Sequence, residues 1–324
     1  MDTITGTDIY KAQSLLQAGE LVAIPTETVY GLAANALNED AVLKIFQVKN
    51  RPAFNPLIIH CISWEKAGLY VKEVPDKAIV LARAFTPGPL TFLLKKNTII
   101  SDLVTAGSDR VAVRIPNHPL TLRLLELLDF PLAAPSANPF GYISPTTAGH
   151  VMKSLAGKIP YILDGGSAGI GVESTIIGFD DNERVILHRS GGISIESIEA
   201  VLNEQIIVAS QISTTQPLVP GQLKSHYAPY TPLYTGQVEK MLQEWINKKV
   251  ATISFTKQFE AVPLQQQFIL SPEGSLAEAA KNLFAALRAI DQLQVDVILA
   301  EIFPNEGIGR AINDRLDRAG AAFK

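Results

Sequence analysis

Short apolar runs alternate with amphipathic segments over the N-terminal part of this 324-residue chain. The apolar runs are rich in Val and Ile and are bounded by Pro or Gly, which is typical of buried strands. They predict strands at residues 21–24, 57–60, 90–94, 111–115, 132–134, 161–163, 175–178 and 185–187. The amphipathic segments predict helices at residues 8–18, 39–50, 77–85, 120–128, 146–155 and 195–202.

The pattern changes between residues 209 and 232, where Gln, Ser, Thr and Pro dominate and the periodicity is lost, as in a linker. A shorter unit follows, with predicted strands at 233–234, 251–255, 267–270 and 297–300 and predicted helices at 238–247, 276–293 and 309–318. Strands that alternate with helices favour a small α/β domain with a mostly parallel sheet. We therefore expect a larger domain at residues 1–207, a linker at 208–231 and a small domain at 232–324.

The composition, with 47% hydrophobic and 19% charged residues, is ordinary for a globular protein of this length. No run of 18 or more apolar residues occurs, so we expect no membrane partner. The N-terminus lacks the order of a signal peptide. Cys61 is the single cysteine, which excludes an intramolecular disulfide and favours a reducing, cytoplasmic location.

The net charge of −4 argues against a basic nucleic-acid coat. Up to Ile207 the chain has 17 Lys and Arg against 21 Asp and Glu, and after it 11 against 11. Neither half carries a positive excess, so any cationic site must be local. The sequence contains no phosphate-binding glycine loop and no nucleophile elbow. Its His and Cys residues do not have the spacing of metal ligands, so no metal site is predicted.

Polar clusters follow several predicted strands. Thr26-Glu27-Thr28 comes just after the first strand, where a turn and helix cap is the plain interpretation. Lys49, Arg51 and Asn55 lie between a helix end and the next strand. Cations there can simply complement the helix dipole, but neighbouring prolines stiffen the segment, and fixed cations suit a polyphosphate. Both interpretations remain open at this stage.

Arg114 is the charged residue inside the apolar predicted strand at 111–115. A buried charge is costly unless it is paired, so a structural ion pair and a ligand carboxylate are both candidates for its partner. The other clusters could each be turns. They are Pro135-Ser136-Ala137-Asn138 with Ser144, the glycines from Gly165 to Gly171 with Glu173-Ser174-Thr175, and His188-Arg189-Ser190-Gly191. Together they follow strand ends, where open α/β sheets bind ligands.

The order and spacing of these motifs resemble the YrdC-like family. The resemblance spans residues 8–205 and rests on Pro25-Thr26-Glu27-Thr28-Val29-Tyr30-Gly31-Leu32, Lys49-x-Arg51-Pro52, Asn55-Pro56-Leu57-x-x-His60, Pro87-Gly88-Pro89-Leu90-Thr91, Val113-Arg114-Ile115-Pro116, Pro135-Ser136-Ala137-Asn138 and Glu173-Ser174-Thr175. Ser225-His226-Tyr227-Ala228-Pro229 and the C-terminal unit resemble the long form of the family. The resemblance implies a twisted, open mixed sheet flanked by helices, with a smaller Rossmann-like C-terminal domain.

The resemblance also implies an activity. The enzyme would be a nucleotidyltransferase that condenses L-threonine, bicarbonate and ATP, with Mg²⁺ on the nucleotide, into threonylcarbamoyl-adenylate and pyrophosphate. A downstream transferase would then move the threonylcarbamoyl group to adenosine 37 of tRNA, and direct contact with tRNA is left open. A lid role for the linker is a further hypothesis, because closure would keep water from a labile adenylate.

Residue roles follow from the motif positions. The resemblance implies that threonine is bound by Thr28, His60, Arg114 and Ser174. It implies that ATP is bound by Lys49, Arg51, Asn55, Ser136, Asn138, Ser144, Arg189 and Tyr227, with Lys49 and Arg51 stabilising charge during catalysis. Thr175 is an alternative to Ser174, since strand neighbours face opposite ways. Arg110 stands where many relatives have Thr or Ser and is left out of the site.

Other functions remain in competition with this one. A relative that activates another carbamoyl group, as in hydrogenase maturation, would carry extra catalytic and zinc-binding modules that this sequence lacks. A double-stranded RNA-binding module would need a local basic face in spite of the acidic balance of the first 207 residues. A nucleotide-binding regulator is the plainest alternative.

Overall fold

The computed structural model describes residues 2–209 and 217–323, so residues 210–216 of the predicted linker lie outside the described residues. Within the described residues, eleven strands of the larger domain form one sheet in the order β1-β8-β2-β3-β7-β4-β6-β5-β9-β10-β11. The strands are β1 Ile4–Gly6, β2 Val22–Ile24, β3 Gly31–Asn35, β4 Ile58–His60, β5 Leu90–Lys95, β6 Arg110–Arg114, β7 Leu132–Ala133, β8 Tyr161–Leu163, β9 Thr175–Phe179, β10 Val185–Arg189 and β11 Ile207–Val208. Parallel and antiparallel pairs both occur, as in the β4–β6 and β5–β6 pairs, which confirms the predicted mixed sheet.

Helices connect these strands. They are α1 Ile9–Gln17, α2 Glu39–Lys49, α3 Trp64–Ala67, α4 Asp76–Phe85, α5 Asp102–Thr105, α6 Pro119–Glu126, α7 Ala148–Leu155 and α8 Ile195–Leu202. Side-chain oxygens cap several N-termini, as Asp8 does for α1 by accepting from the amides of Tyr10 and Lys11. Helix α2 ends at Asn50, whose left-handed backbone (φ 51°) turns the chain toward Arg51.

Three short strands and two short helices were not predicted. Strand β3 has the sequence Gly-Leu-Ala-Ala-Asn, which lacks the β-branched residues that mark a strand. Strands β1 and β11 have three and two residues and form at the sheet's edges by pairing with β8 and β10. Helices α3 and α5 have four residues each, too few for a helical period to show.

The smaller domain has four parallel strands in the order β12-β15-β13-β14. Its strands are β12 Leu233–Gly236, β13 Val250–Ser254, β14 Gln267–Ile269 and β15 Val297–Glu301, and its helices are α9 Val238–Glu244, α10 Leu276–Ile290 and α11 Gly309–Gly320. This confirms the predicted α/β domain with a parallel sheet. Across residues 2–209 and 217–323, no helix combines the length and the apolar character needed to cross a membrane.

The two domains share a hydrophobic core. Val29, Ile143 and Val172 of the larger domain belong to the same buried cluster as Leu283 and Phe284 of helix α10. Burying apolar surface contributes about 25 cal/mol per Å², so a cluster made from both domains favours their association. The contact between the domains is therefore built into the fold of both.

Gly171 allows the closest approach between the domains. Its backbone has φ +83°, and a Cβ atom placed there would lie 2.4 Å from Lys281 Cα and 2.5 Å from the Ala280 carbonyl oxygen. Those atoms are backbone of helix α10 and cannot rotate away. The Gly171 amide also donates to the Thr28 carbonyl, so this loop joins the first polar cluster to the second domain.

We expect Gly171→Ala to destabilise the protein more than Gly166→Ala does, by roughly 1–3 kcal/mol. Gly166 is the matched control because its φ is +81° and a Cβ atom there would meet nothing within 4 Å. Both substitutions carry the backbone cost of alanine at positive φ, so their difference reports the contact with α10. Urea unfolding of both variants measures it. Equal losses in the free energy of unfolding would show that α10 can move away from residue 171 without an energetic cost.

Candidate active site

A cavity lies where the loop after β2, the ends of β4 and β6, the loop after β7 and the linker meet. Eight of the twelve predicted site residues line it, namely Thr28, Arg51, His60, Arg114, Ser136, Ser174, Arg189 and Tyr227. The other four, Lys49, Asn55, Asn138 and Ser144, are buried within 1% exposure. Each of these four contacts a lining residue: Lys49 and Asn138 bond the Ser136 carbonyl, Asn55 bonds Arg51, and Ser144 bonds Glu173. The structure thus brings all twelve residues into one region.

Strand pairing places residues that are predicted to bind L-threonine side by side. His60 on β4 and Thr91 on β5 both stand opposite Arg114 on β6. Arg114 Nη1 donates to Thr28 Oγ1 at 3.0 Å, and its Nη2 lies 2.7 Å from Glu27 Oε1. The pair with Glu27 is in contact but is not aligned as a hydrogen bond. An ion pair is therefore present, and Arg114 also faces the cavity.

His60 is a neutral imidazole in this setting. Burial, followed by repulsion from Arg114, lowers the pKa of His60 to about 3. Its Nδ1 atom is buried and, among the described residues, has no hydrogen-bond partner. A buried polar atom without a partner is costly, and a ligand that hydrogen-bonds to it removes the cost.

Lys49, at the end of α2, is held by two carbonyl oxygens. Its ammonium donates to the Ser136 and Asn138 carbonyls, so it ties the α2 end to the loop after β7. Burial, and then the nearby Arg51, lower the pKa of Lys49 well below its ordinary value. The structure therefore places Lys49 behind the lining, as a support for Ser136.

Arg51 projects into the cavity and is braced from behind. It donates to the carbonyls of Asn55 and Pro56 and to Asn55 Oδ1, at 3.1, 2.7 and 2.6 Å. Its guanidinium also lies 5.8 Å from the ring centroid of Phe140. Burial lowers the pKa of Arg51 to about 9; Tyr227 opposes this shift and Arg189 adds to it.

Ser174 and Arg189 form a second braced pair. Arg189 Nε and Nη2 donate to the Ser174 carbonyl, and Nη2 also donates to Ser174 Oγ at 3.0 Å. Thr91 Oγ1 lies 2.7 Å from Ser174 Oγ. The hydroxyl of Thr175 instead bonds the backbone of Ile193. Of the two neighbouring residues, Ser174 is the one that faces the cavity.

The linker closes one side of the cavity. Pro220, Gly221, His226 and Tyr227 are part of its lining. Arg189 donates to the Pro220 carbonyl at 3.1 Å. Tyr227 is 1% exposed and has φ +63°, a backbone conformation that a bulky side chain rarely adopts, so its contacts must hold it there.

Ser144 reaches the cavity wall through a carboxylate. Its hydroxyl donates to Glu173 Oε1 at 2.6 Å, and the other oxygen of Glu173 accepts from Arg315 Nε at 2.7 Å. Glu173 is itself part of the lining. Arg315 belongs to α11, so the smaller domain reaches this wall directly.

Cationic character dominates the cavity. Lys49, Arg51, Arg114 and Arg189 are all at most 7% exposed. Burial is the largest cause that lowers the pKa of Arg189, as it is for Lys49 and Arg51. Buried cations with pKa values pushed down are stabilised when an anion binds, so this arrangement favours anionic ligands.

A resident metal is not supported by the side chains. In the parts of the chain that the structure describes, no group of three or more His, Cys, Asp or Glu could hold an ion. The two carboxylates near the cavity, Glu27 and Glu173, each face an arginine. This donor set does not fit a metal held by the protein alone.

Sequence reasoning missed several residues of the site. Glu173 and His226 stood within quoted motifs but were given no role, although an acidic residue beside Ser174 was a usable signal. Arg315 lies on an amphipathic helix of the other domain, and nothing local distinguishes it from a solvated charge. Arg110 lies away from the cavity, where it donates to the Phe179 carbonyl at 3.2 Å.

Comparison with known proteins adds independent findings. Residues 14–191 match the Sua5–YciO–YrdC family, described as "Telomere recombination", and residues 193–321 match the family described as "Threonylcarbamoyl-AMP synthase, C-terminal domain". The chain is 43% identical over 323 residues to a threonylcarbamoyl-AMP synthase of Pyrococcus abyssi, covering 95% of this chain and 92% of that protein. It is 42% identical over 321 residues to a threonylcarbamoyl-AMP synthase of Bacillus subtilis, covering 96% and 92%.

A solved structure matches over nearly the whole chain as well. The crystal structure of P. abyssi Sua5 complexed with L-threonine superposes with a TM-score of 0.89 at 40% identity, covering 99% of this chain and 98% of that one. The similarity therefore includes both domains.

The low pKa of His60 has a consequence for stability. Between the folded value of about 3 and the ordinary value of 6.5, the unfolded chain binds a proton at this residue and the folded chain does not. The free energy of unfolding must therefore fall as the pH drops below 6.5. We expect His60→Gln to remove about 2 kcal/mol of that fall between pH 6.5 and 5.

Urea unfolding of both proteins at these two pH values gives the measurement. Only the difference between pH values is compared, so any loss that the substitution causes at every pH cancels. A variant with the wild-type pH dependence would show that His60 is protonated in the folded protein.

Proposed function

The chain belongs to the Sua5–YciO–YrdC family, and we propose that it is a threonylcarbamoyl-AMP synthase, a nucleotidyltransferase that makes an adenylate from L-threonine and ATP. The family expected from the sequence motifs is thereby confirmed. The observation that carries the proposal is the 40% identical structure of P. abyssi Sua5, which was solved with L-threonine and superposes on both domains. Full-length relatives that are named as synthases favour this enzyme over an RNA-binding module.

We assign the binding of threonine to side chains at and near the ends of the strands. Arg114 can grip a carboxylate, because its Nη2 is in contact with Glu27 without an aligned hydrogen bond. Thr28 and Ser174 offer hydroxyls to the hydroxyl of threonine. His60 is better suited to accepting or donating a hydrogen bond than to carrying a positive charge, since its pKa is about 3.

We assign the binding of ATP to the buried cationic side chains that backbone carbonyl oxygens hold in place. Arg51 and Arg189 line the cavity, and Lys49 supports Ser136 and Asn138 from behind. Asn55 Nδ2 and Asn138 Oδ1 are buried atoms without hydrogen-bond partners among the described residues. Unsatisfied donors and acceptors beside buried cations suit a ligand with both a base and phosphates.

The chemistry needs two steps. The amine of threonine first combines with bicarbonate to give a carbamate and water. A carbamate oxygen then attacks the α-phosphorus of ATP; the bond to the β-phosphate oxygen breaks, and pyrophosphate leaves with the electron pair. Negative charge grows on the leaving group, so fixed cations and alignment should supply most of the acceleration. Arg51 and Arg189 are placed to do so.

We also propose a source for the metal ion, a downstream partner and a cellular location. Mg²⁺ enters as part of the nucleotide substrate, because the side chains offer no cluster for a resident ion in the described ranges. The product would pass to a transferase that modifies adenosine 37 of tRNA, and direct contact with tRNA is part of the same hypothesis. We place the enzyme in the cytoplasm, in keeping with its single free cysteine, Cys61.

The linker is proposed to act as a lid over the bound substrates. Its described part is anchored on both sides of the cavity, since Ala228 N donates to the Gly141 carbonyl and Arg318 of the smaller domain donates to the Leu223 carbonyl. A Cβ atom on Gly221 would lie 2.7 Å from Tyr227 Oη, so the lid is closely packed. Excluding water in this way would protect an adenylate from hydrolysis.

Tyr227→Ala should raise the KM for ATP about tenfold, the effect of losing about 1.4 kcal/mol of contact, and should shorten the lifetime of the adenylate. Tyr230→Ala is the control, because Tyr230 lies in the same linker but is 77% exposed and stacks on Tyr142 outside the cavity lining. Steady-state kinetics and chromatography of the adenylate are the measurements. Similar behaviour of both variants would contradict the lid.

Pyrophosphate release tests the proposed function. With wild-type protein, release from ATP should require both L-threonine and bicarbonate. Arg51→Ala should lower kcat by about 100-fold or more, because it removes transition-state charge stabilisation. Arg114→Ala should instead raise the KM for threonine roughly 10- to 100-fold, since a charge-assisted hydrogen bond contributes about 1.5–3 kcal/mol.

Arg83→Ala is the control for both variants, because Arg83 is an exposed arginine on α4. It should leave both constants unchanged. Pyrophosphate release that does not depend on threonine would refute the proposed function. Wild-type kinetics in Arg51→Ala and Arg114→Ala would refute only the assignment of the site residues.

A further inference from the structure

Helix α11 of the smaller domain places a fully buried arginine against the wall of the cavity. Arg315 is 0% exposed. Its Nε donates to Glu173 Oε2 at 2.7 Å, its Nη2 donates to the Ser190 carbonyl at 3.0 Å, and its Nη1 donates to Asp314. Its guanidinium also lies 5.0 Å from the ring centroid of Tyr227. An arginine that comes from another domain is therefore fixed in place by four groups.

Glu173 is the contact through which Arg315 meets the substrate site. This carboxylate is 6% exposed and lines the cavity. Its second oxygen accepts from Ser144, and the next residue along the chain is Ser174, which Arg189 grips through both its carbonyl and its hydroxyl. A negative charge thus lies in the wall of a cavity that must bind the negative phosphates of ATP.

The charge of Glu173 is balanced by arginines. Burial would raise the pKa of Glu173, but Arg315 and Arg189, helped by the hydrogen bond from Ser144, outweigh it and lower the pKa. Burial would likewise lower the pKa of Arg315, and Tyr227, Glu173 and Asp314 outweigh it. Both side chains therefore stay ionised, and Arg315 is the first cation that offsets the burial of Glu173.

We propose that Arg315 is a positioning residue for ATP binding, which holds the Glu173 carboxylate turned away from Arg189 so that Arg189 stays available to the phosphates. The inference rests on the proposed function and deepens it, because it gives the smaller domain a role at the nucleotide half of the site. Without Arg315, the buried carboxylate would have Arg189 as its remaining cation. Pairing between them would neutralise a phosphate contact and leave Ser144 without its acceptor.

An electrostatic role of Arg315 and a purely structural role lead to different results when Glu173 is also replaced. If Arg315 acts by compensating Glu173, removing both charges together should restore ATP binding. If Arg315 only fills space or joins the domains, removing the carboxylate should not help. Arg315→Met with Glu173→Gln keeps the cavity uncharged at these positions and nearly conserves volume.

A pH dependence gives a second criterion. The groups that face Glu173 are Arg315 from α11, Arg189 from β10, Tyr227 from the linker and the hydroxyl of Ser144, while Asp314 of α11 accepts from Arg315. Removing Arg315 takes away the first cation that opposes burial, so the pKa of Glu173 should rise. At lower pH its carboxylate should then become protonated, and Arg189 should be released again.

The experiment measures the Kd of ATP by calorimetry, without threonine, at pH 8 and pH 5.5. Arg315→Met should raise the Kd about tenfold or more at pH 8, since one partner of a buried charge pair is left alone. Relative to wild type at each pH, the loss should shrink at pH 5.5. Comparison at equal pH cancels the protonation of ATP itself. Arg315→Met/Glu173→Gln should bind within about threefold of wild type at both pH values.

Arg310→Ala is the matched control. Arg310 lies on the same helix and also crosses to the larger domain, where it pairs with Glu196, but its side chain is 30% exposed and that of Glu196 is 49% exposed. Removing this pair should leave the Kd of ATP unchanged. An equal loss in Arg310→Ala would show that any contact between α11 and the larger domain suffices.

The double variant decides the outcome even if Arg315→Met does not fold. Tenfold weaker ATP binding by a folded double variant overturns the inference, as does wild-type affinity in Arg315→Met. A loss in Arg315→Met that is the same at both pH values also overturns it. These outcomes are distinct from failure of the proposed function, which would appear as wild-type protein that releases no pyrophosphate in response to threonine.

Discussion

The burial of several cationic side chains around one cavity is the constraint on which the rest of this structure depends. Lys49, Arg51, Arg114 and Arg189 are almost completely removed from water. The cost of moving such charges out of water is several kcal/mol each unless hydrogen bonds and opposite charges replace the lost solvent. Backbone carbonyl oxygens take this role for most of the four, and they cannot carry a full negative charge. The cavity thus remains electropositive, and an anionic substrate completes it.

The loops after the strands are organised by this requirement. Lys49 joins the end of α2 to the loop after β7, and Arg189 joins β10 to the start of β9 and to the linker. Arg189 therefore has a structural task and a position in the cavity lining at once, while Lys49 supports the lining from behind. Rigid positioning of this kind is what alignment of an amino acid with a triphosphate requires, because misplacement by about 1 Å can cost 100-fold in rate.

The smaller domain also contributes to this packing and charge compensation. A shared hydrophobic cluster and the close approach at Gly171 hold it against the larger domain, and Arg315 brings a positive charge to Glu173 from the far side of the wall. Pro220, Gly221, His226 and Tyr227 of the linker complete the lining of the cavity. The smaller domain, the linker and the site are therefore joined by both packing and charge pairing.

Most of the regular structure and most of the site could be predicted, because both leave local signals. Apolar runs mark buried strands of even two or three residues, such as β2, β4 and β7, and amphipathic periodicity marks the longer helices. Strands β1 and β11 were not predicted because they are exposed strands at the sheet edges, and β3 was not predicted because it is built from small residues. Their pairing with β8, β10 and β7 is decided by the tertiary structure. Polar clusters near strand ends contained ten of the twelve candidate residues, and the resemblance to the YrdC-like family added His60 and Tyr227.

The sequence by itself determined the α/β alternation, the division into two domains and the types of side chain available to the site. Only the tertiary structure decided which charges meet. Arg114 faces both Glu27 and the cavity, and Arg315 finds Glu173 across 142 positions of the chain. The reason is physical: periodicity and capping act between residues a few positions apart, whereas charge pairing and burial depend on distance in space, which the packing of the whole chain sets.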